Sequence, residues 1–349
     1  MAHPRSPTHH PTSRAIAALV LALLGTGCSP DSTDGDPATT PTPSTRPAEA
    51  PAPASPTGTG TTIPDTSTAP TSTTAHPPAP PAVFRAARAM RTVRHLAGVI
   101  GPRHATSPAY VEAAAWSAGR LRELGYAVET QRVRVPAGNS WGVDVSAGTS
   151  QNIVAATADF SPAAPYLIVG AHLDTVPVAP GAEDNASGVS VVLELARLAA
   201  RDGAGTRLPV VFVLFGAEEP RGPGDDDHHY GSRAYVASMS GVERRNLVGM
   251  VALDRVGVGT VVPICTGGVS PLTVQRQLLS AAAADDVATS TCTDNQSSDH
   301  WSFEKAGFSV ARIGSTPYAG YHSAGDVPAV VSPAQLRRSG TTLWTWLSN

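Results

Sequence analysis

Short, mostly apolar runs punctuate the chain. Residues 152–156, 166–171, 209–215 and 247–253 are rich in β-branched side chains and bounded by turn formers. That pattern predicts strands buried on both faces. Residues 127–135 alternate instead, as a half-exposed strand does, and 308–313 read as a late strand. Apolar positions recur at helical spacing over 83–99, 110–124, 189–200, 271–284 and 333–347. The second of these stops at Gly125, and the last two open with a proline near the first turn. Strands alternating with helices predict an α/β sheet covered on both faces.

Composition separates the N-terminal part from the rest. Between Ser29 and Pro81 lie 14 of the 32 prolines and 14 threonines, with no Phe, Trp or Tyr. Such a stretch cannot bury enough apolar surface to offset chain entropy, so 29–82 is expected to be a disordered Thr/Pro-rich tether. Residues 1–28 read as an export signal: Arg5 and Arg14, then an apolar run over 15–24, then Gly25, Thr26, Gly27 and Cys28. The end resembles a bacterial lipobox, with Gly25 where leucine is usual. Lipidation of Cys28 is the expectation and ordinary cleavage the alternative. The protein is therefore expected outside the membrane, surface-anchored or secreted, with 83–349 as its folded part. A net charge of −3 without a basic stripe gives nucleic-acid binding no electrostatic support. Export permits a Cys265–Cys292 disulfide; two buried thiols are the alternative.

Polar residues gather where the apolar runs end, which is where open α/β sheets bind ligands. In Gly170-Ala171-His172-Leu173-Asp174, the His and Asp lie two apart and project to one side of extended chain. His172 can bind a metal through one ring nitrogen while Asp174 accepts from the other. Taken alone, the two would be a hydrogen-bonded surface pair. Asp184, in Gly181-Ala182-Glu183-Asp184-Asn185-Ala186-Ser187-Gly188, could cap the following helix or bridge two ions. Glu218 and Glu219 end an apolar strand, where two buried acids without a cation would disfavour ionisation. One can ligate while its neighbour serves as general base, the division metal-assisted hydrolysis needs. Asp254 closes another strand, and His322 stands in Tyr321-His322-Ser323 before the last helix. Oxygen and nitrogen donors without thiolate suit zinc.

The order of these clusters, with Ser298-Asp299-His300, resembles family twenty-eight of the metallopeptidases, the co-catalytic di-zinc aminopeptidases and their relatives. The resemblance spans residues 83–349. It implies a three-layer α/β/α sandwich with a mixed, mostly parallel sheet of about eight strands. It implies two Zn²⁺ per chain: His172 and Asp254 on one, Glu219 and His322 on the other, Asp184 bridging both. Glu218 would be the general base, Tyr321 would stabilise the oxyanion, and Asp174 would support His172. A cis peptide is implied after the bridging acid, at Asp184–Asn185. The implied substrate is a peptide with a free N-terminus, and the implied state a monomer.

Two departures stand out. Residues 220–230 lengthen the segment between Glu219 and Gly231-Ser232, and Asp225 to His229 are expected to be a solvated loop, with an extra metal site or a substrate-contacting rim as the alternative. Arg255 follows Asp254 where relatives often carry an apolar residue. A glutaminyl cyclase of related architecture, using one zinc, and a non-catalytic surface binding protein are the alternatives to the peptidase. No Gly-x-Ser-x-Gly elbow accompanies the serines, so a serine nucleophile is not expected.

Overall fold

The computed structural model describes residues 83–201 and 205–349; the leader and the tether lie outside the described residues. In chain order the elements are α1 (Ala86–Val93), α2 (Pro108–Glu123), β1 (Ala127–Val135), β2 (Gly138–Ser140), β3 (Val143–Val145), β4 (Gly148–Ala156), β5 (Tyr166–His172), α3 (Gly188–Ala199) and β6 (Val210–Phe215). Then follow α4 (Tyr230–Ser238), α5 (Gly241–Asn246), β7 (Leu247–Asp254), β8 (Val262–Cys265), α6 (Thr273–Ala284), β9 (Thr289–Cys292), α7 (His300–Lys305), β10 (Val310–Gly314) and α8 (Pro333–Ser348).

Eight strands form one sheet in the order β1-β4-β6-β5-β7-β10-β8-β9. The central β6, β5, β7 and β10 run parallel, as do β8 and β9; β1–β4, β4–β6 and β10–β8 are antiparallel. The apolar runs form the centre because both their faces are covered. Leu167, Val169 and Ala171 pack into one core, and Tyr166 and Ile168 into the other. The first core is closed by α1, α2, α3, α6 and α8, the second by α4 and α7. The architecture is thus the expected three-layer sandwich.

Shorter elements escaped the hydrophobic pattern. The β2–β3 hairpin, β8, β9, α4, α5 and α7 are three to nine residues long, too short for a periodicity to declare itself. The helix over 83–99 is regular only to Val93, after which the backbone widens through Arg94–Ile100. Cys265 and Cys292 face each other across β8 and β9 and are disulfide-bonded, with 4.6 Å between their Cα atoms.

Topology places the site. The chain leaves β5 through α3 to β6 on one side, then returns through α4 and α5 to β7 on the other. Successive connections in opposite directions open a crevice at the carboxyl end of β5. Gly170, near the end of β5, makes room for the β6 side chain beside it: a Cβ there would stand 2.5 Å from the Phe215 ring.

Candidate active site

Three neighbouring strands deliver side chains to the crevice. His172 ends β5, Glu218 and Glu219 follow β6, and Asp254 ends β7. Asp184 comes from the segment before α3, and His322 from the loop before α8. All six are nearly inaccessible to solvent.

Asp184 stands at the centre. Its Oδ1 lies 3.2 Å from His172 Nε2, and its Oδ2 3.1 Å from His322 Nε2. His172 Nε2 is also 3.6 Å from Asp254 Oδ1, and His322 Nε2 is 3.3 Å from Glu219 Oε2. Two groups therefore share one carboxylate: His172 with Asp254, and His322 with Glu219. Ligand atoms of His172, Asp184 and Glu219 lie within 4.8 Å of one another, as do those of His172, Glu218 and Asp254. The Asp184–Asn185 peptide is cis.

Buried carboxylates from one loop pin the backbone of the next. Asp174 accepts from the amides of Glu218 (3.1 Å) and Glu219 (3.2 Å). Asp326 accepts from those of Glu183 (2.8 Å) and Asp184 (3.1 Å). Glu183 accepts from Gly257 (2.9 Å) and Val258 (3.1 Å), just beyond Asp254. The Arg103 guanidinium, fully buried, donates to the carbonyls of Leu173, Pro180 and Gly181, and so ties the β5 end to the segment carrying Asp184. Bonds from charged groups are the stronger kind, and loops cross-tied by them hold their side chains in place.

The expected role of Asp174 changes accordingly. Its carboxylate comes no nearer His172 Nδ1 than 3.8 Å; that nitrogen lies 3.2 Å from the Asp174 backbone carbonyl instead. Asp174 is better described as an anchor for the Glu218–Glu219 turn, because each of its oxygens takes an amide from that turn while the imidazole stays beyond hydrogen-bond distance.

Electrostatics single out the two glutamates. Burial, with the neighbouring acids, pushes Glu218 and Glu219 each up to about 8. Burial would raise Asp184 too, but His172 and His322 hold it well below the ordinary carboxylate range. Asp254 is likewise held low against its burial, chiefly by Arg312. His172 Nε2, Glu219 Oε1 and Asp254 Oδ1 are buried without a hydrogen-bond partner. Orphaned donors and acceptors of this kind call for a compensating group. Convergent carboxylate oxygens and imidazole nitrogens with excess negative charge fit divalent cations.

Tyr321 stacks on the His322 ring with centroids 3.7 Å apart, and the Arg255 guanidinium lies 4.4 Å from the Tyr321 ring centroid. The Arg255 side chain reaches Asp254 Oδ1 at 3.8 Å. The solvated-loop expectation for Asp225 to His229 needs correction. Asp225 and Asp226 are exposed, but His229 is buried and its Nε2 lies 3.2 Å from Glu218 Oε1. Asp299 occupies the N-cap position of α7, but its side chain makes no capping bond.

Sequence reasoning missed Arg312, Arg103, Asp326 and Trp141. Arg312 carries a signal: it is the single charge in an otherwise apolar β10. Trp141 sits exposed between β2 and β3, with its ring 4.3 Å from that of His322. A tryptophan in a Ser-Trp-Gly turn is a weak signal, but it overhangs the cleft.

Comparison with known proteins bears on the family and the fold. The sequence model of Peptidase family M28 matches residues 152–347. The chain is 34% identical over 176 residues to the uncharacterised protein YfbL of Escherichia coli, covering 48% of each. It is 32% identical over 170 residues to the aminopeptidase YwaD of Bacillus subtilis, covering 47% of this chain and 35% of that one. The chain thus spans half or less of the length of these curated relatives. Among solved structures, the zinc aminopeptidase BSAP of Bacillus subtilis superposes with a TM-score of 0.67 at 20% identity, covering 76% of this chain and 95% of that one. A glutaminyl cyclase of Bacteroides thetaiotaomicron does so at 0.63 and 20%, covering 76% and 98%. These structures share the fold, which by itself does not choose between their chemistries.

Proposed function

The chain belongs to peptidase family M28, and from that premise we propose that it is a zinc-dependent exopeptidase that removes N-terminal residues from peptides. The observation that carries this reading is the division of Asp184, whose two oxygens each face a different histidine at 3.1–3.2 Å. A carboxylate so placed would hold an ion on each of its oxygens. The sites are His172 with Asp254 and His322 with Glu219, which accounts for the orphaned buried atoms.

Zinc held there supplies a Lewis acid for the scissile carbonyl and makes water acidic enough to act as nucleophile at neutral pH. The chain's own residues do the rest. Glu218 Oε2 turns toward the cluster, 4.0 Å from His172 Nε2. It takes a proton from the attacking water and passes it to the leaving amine. Tyr321, stacked against His322, stabilises the oxyanion. Trp141 and Arg255 form the rim where the substrate side chain enters.

Residues 1–28 place the enzyme outside the membrane and 29–82 tether it there, through a lipid on Cys28. A glutaminyl cyclase remains the second reading, favoured only by the shared fold. Four donors arranged around a divided carboxylate favour two ions over the cyclase's one.

The test is zinc stoichiometry of the purified protein together with hydrolysis of leucine-4-nitroanilide. Two ions and chelator-sensitive turnover are expected. One ion, no turnover, and cyclisation of an N-terminal glutaminyl peptide would replace this reading with the second.

A further inference from the structure

His229 is the residue the reaction described above leaves unused. Its ring is buried, with only 3% of the residue exposed, and neither ring nitrogen has a hydrogen-bond partner. Leaving a buried polar group unsatisfied is costly, so such a group in a folded protein calls for an explanation. One acidic oxygen lies within reach: Glu218 Oε1, 3.2 Å from Nε2.

The backbone holds the ring there. The chain leaves Glu218, makes the 220–228 excursion, and returns so that the His229 amide donates to the Glu218 carbonyl at 3.0 Å. The Tyr230 amide donates to the Ala217 carbonyl at 2.8 Å, which fixes the register. His229 is left-handed at φ 58°, a conformation that glycine adopts more readily. Asp225, on the same excursion, takes hydrogen bonds from Trp301 Nε1 (2.9 Å) and Lys305 Nζ (2.7 Å) on α7 and anchors the loop from outside.

We propose that His229 is a positioning residue for the general base: its Nε2–H holds Glu218 Oε1, so that Oε2 stays turned to the metal-ligand cluster. The inference rests on the peptidase reading for the role of Glu218, and on this chain's own geometry for the contact. The two glutamate oxygens are already divided in this way, Oε1 toward His229 and Oε2 toward His172. The N–H is not yet aligned on Oε1, as is common for catalytic hydrogen bonds before substrate binds. Burial pushes the imidazole down to about 4, with Asp299, Asp225, Lys305 and Asp254 the other charges acting on it. A neutral ring still has one N–H to donate.

Two measurements on the zinc-loaded full chain test this. The first is ¹⁵N-histidine NMR of the wild type and Glu218→Gln. His229 should be the Nε2–H tautomer, and its proton resonance should move in the variant. An Nδ1–H tautomer, or a resonance indifferent to the substitution, overturns the proposal. The second is leucine-4-nitroanilide kinetics. Glutamine puts an amide nitrogen where imidazole has Nε2, and asparagine where it has Nδ1. His229→Gln should therefore stay within about threefold of wild-type kcat, while His229→Asn and His229→Leu fall about 10–100-fold with KM and zinc content unchanged. Wild-type kcat in His229→Leu, equal loss in His229→Gln and His229→Leu, or zinc lost along with activity would each overturn it. No turnover by the wild type would sink the peptidase reading instead, and the NMR result would still decide the contact.

Discussion

Asp254 Oδ2 lies 2.8 Å from Arg312 Nη2, while Asp254 Oδ1 faces His172. The arginine is wholly buried in β10, the strand parallel and adjacent to β7. The proposed metal ligand thus has its second oxygen answered by a guanidinium 58 residues further along. Arg312 Nη1 also donates to Asn295 Oδ1 (3.0 Å) and Ser297 Oγ (2.7 Å), so the pair is held in a network.

Removing that arginine should destabilise the protein strongly. Arg312→Met would leave Asp254 buried and uncompensated, a change that costs about 3–5 kcal/mol in comparable pairs. Denaturant unfolding of chelated protein measures it, and a loss under 1 kcal/mol would show that water or rearrangement replaces the guanidinium. Saturating zinc should recover part of the loss, because the ion would answer the same charge.

Glu218→Gln should lower kcat by about 10²–10⁴-fold while zinc content stays at the wild-type value. The amide keeps the size of the side chain but cannot accept a proton. Metal analysis beside the assay separates a lost base from a lost ion, and near-normal turnover in this variant would dismiss Glu218 as the base.

Asp326 touches none of the six convergent side chains, yet it should govern metal affinity. It pins the amides of Glu183 and Asp184. Asp326→Ala frees the segment that presents the bridging carboxylate. Supporting residues of this kind typically cost about 10–100-fold in affinity when removed. Competition with a zinc-binding dye reads this directly, and an unchanged affinity would mean that the cis Asp184–Asn185 segment is held without Asp326.

Chelation should lower the melting temperature in a concentration-dependent way. An ion that binds only the folded chain stabilises it by about 2.7 kcal/mol at a hundred times its Kd. Calorimetry across a zinc series checks this without any substrate. A melting temperature indifferent to zinc would exclude a specific site.

Stability should fall in mild acid, partly through His300. Burial, aided by Arg312, pushes its imidazole down to about 3, while an unfolded histidine titrates near 6.5. The folded state therefore binds fewer protons below pH 6.5, and stability declines from there toward pH 3. Between pH 6.5 and 5 this amounts to about 2 kcal/mol. His300→Gln, whose amide can replace the Nε2 contact to the Asn295 carbonyl (2.8 Å), should unfold with a flatter pH dependence over that range. Identical slopes for the two proteins would show that His300 does not contribute.

The sequence alone located the sheet centre and most of the convergent side chains. Central strands must be apolar on both faces, so they appear as uninterrupted runs, and chemistry confined to their carboxyl ends appears as polar residues that close those runs. His172, Glu218, Glu219 and Asp254 are legible for that reason, and Asp184 and His322 through the motifs around them. The tertiary structure alone decided which charges answer one another. Arg312 pairs with Asp254, Asp326 pins the segment of Asp184, Asp174 holds the Glu218–Glu219 turn, and His229 returns to Glu218. None of these pairings leaves a periodic trace, because electrostatic and hydrogen-bond partners are set by distance in the folded chain. Their separations along the sequence run from 11 residues to 142, depending only on where each loop crosses the crevice.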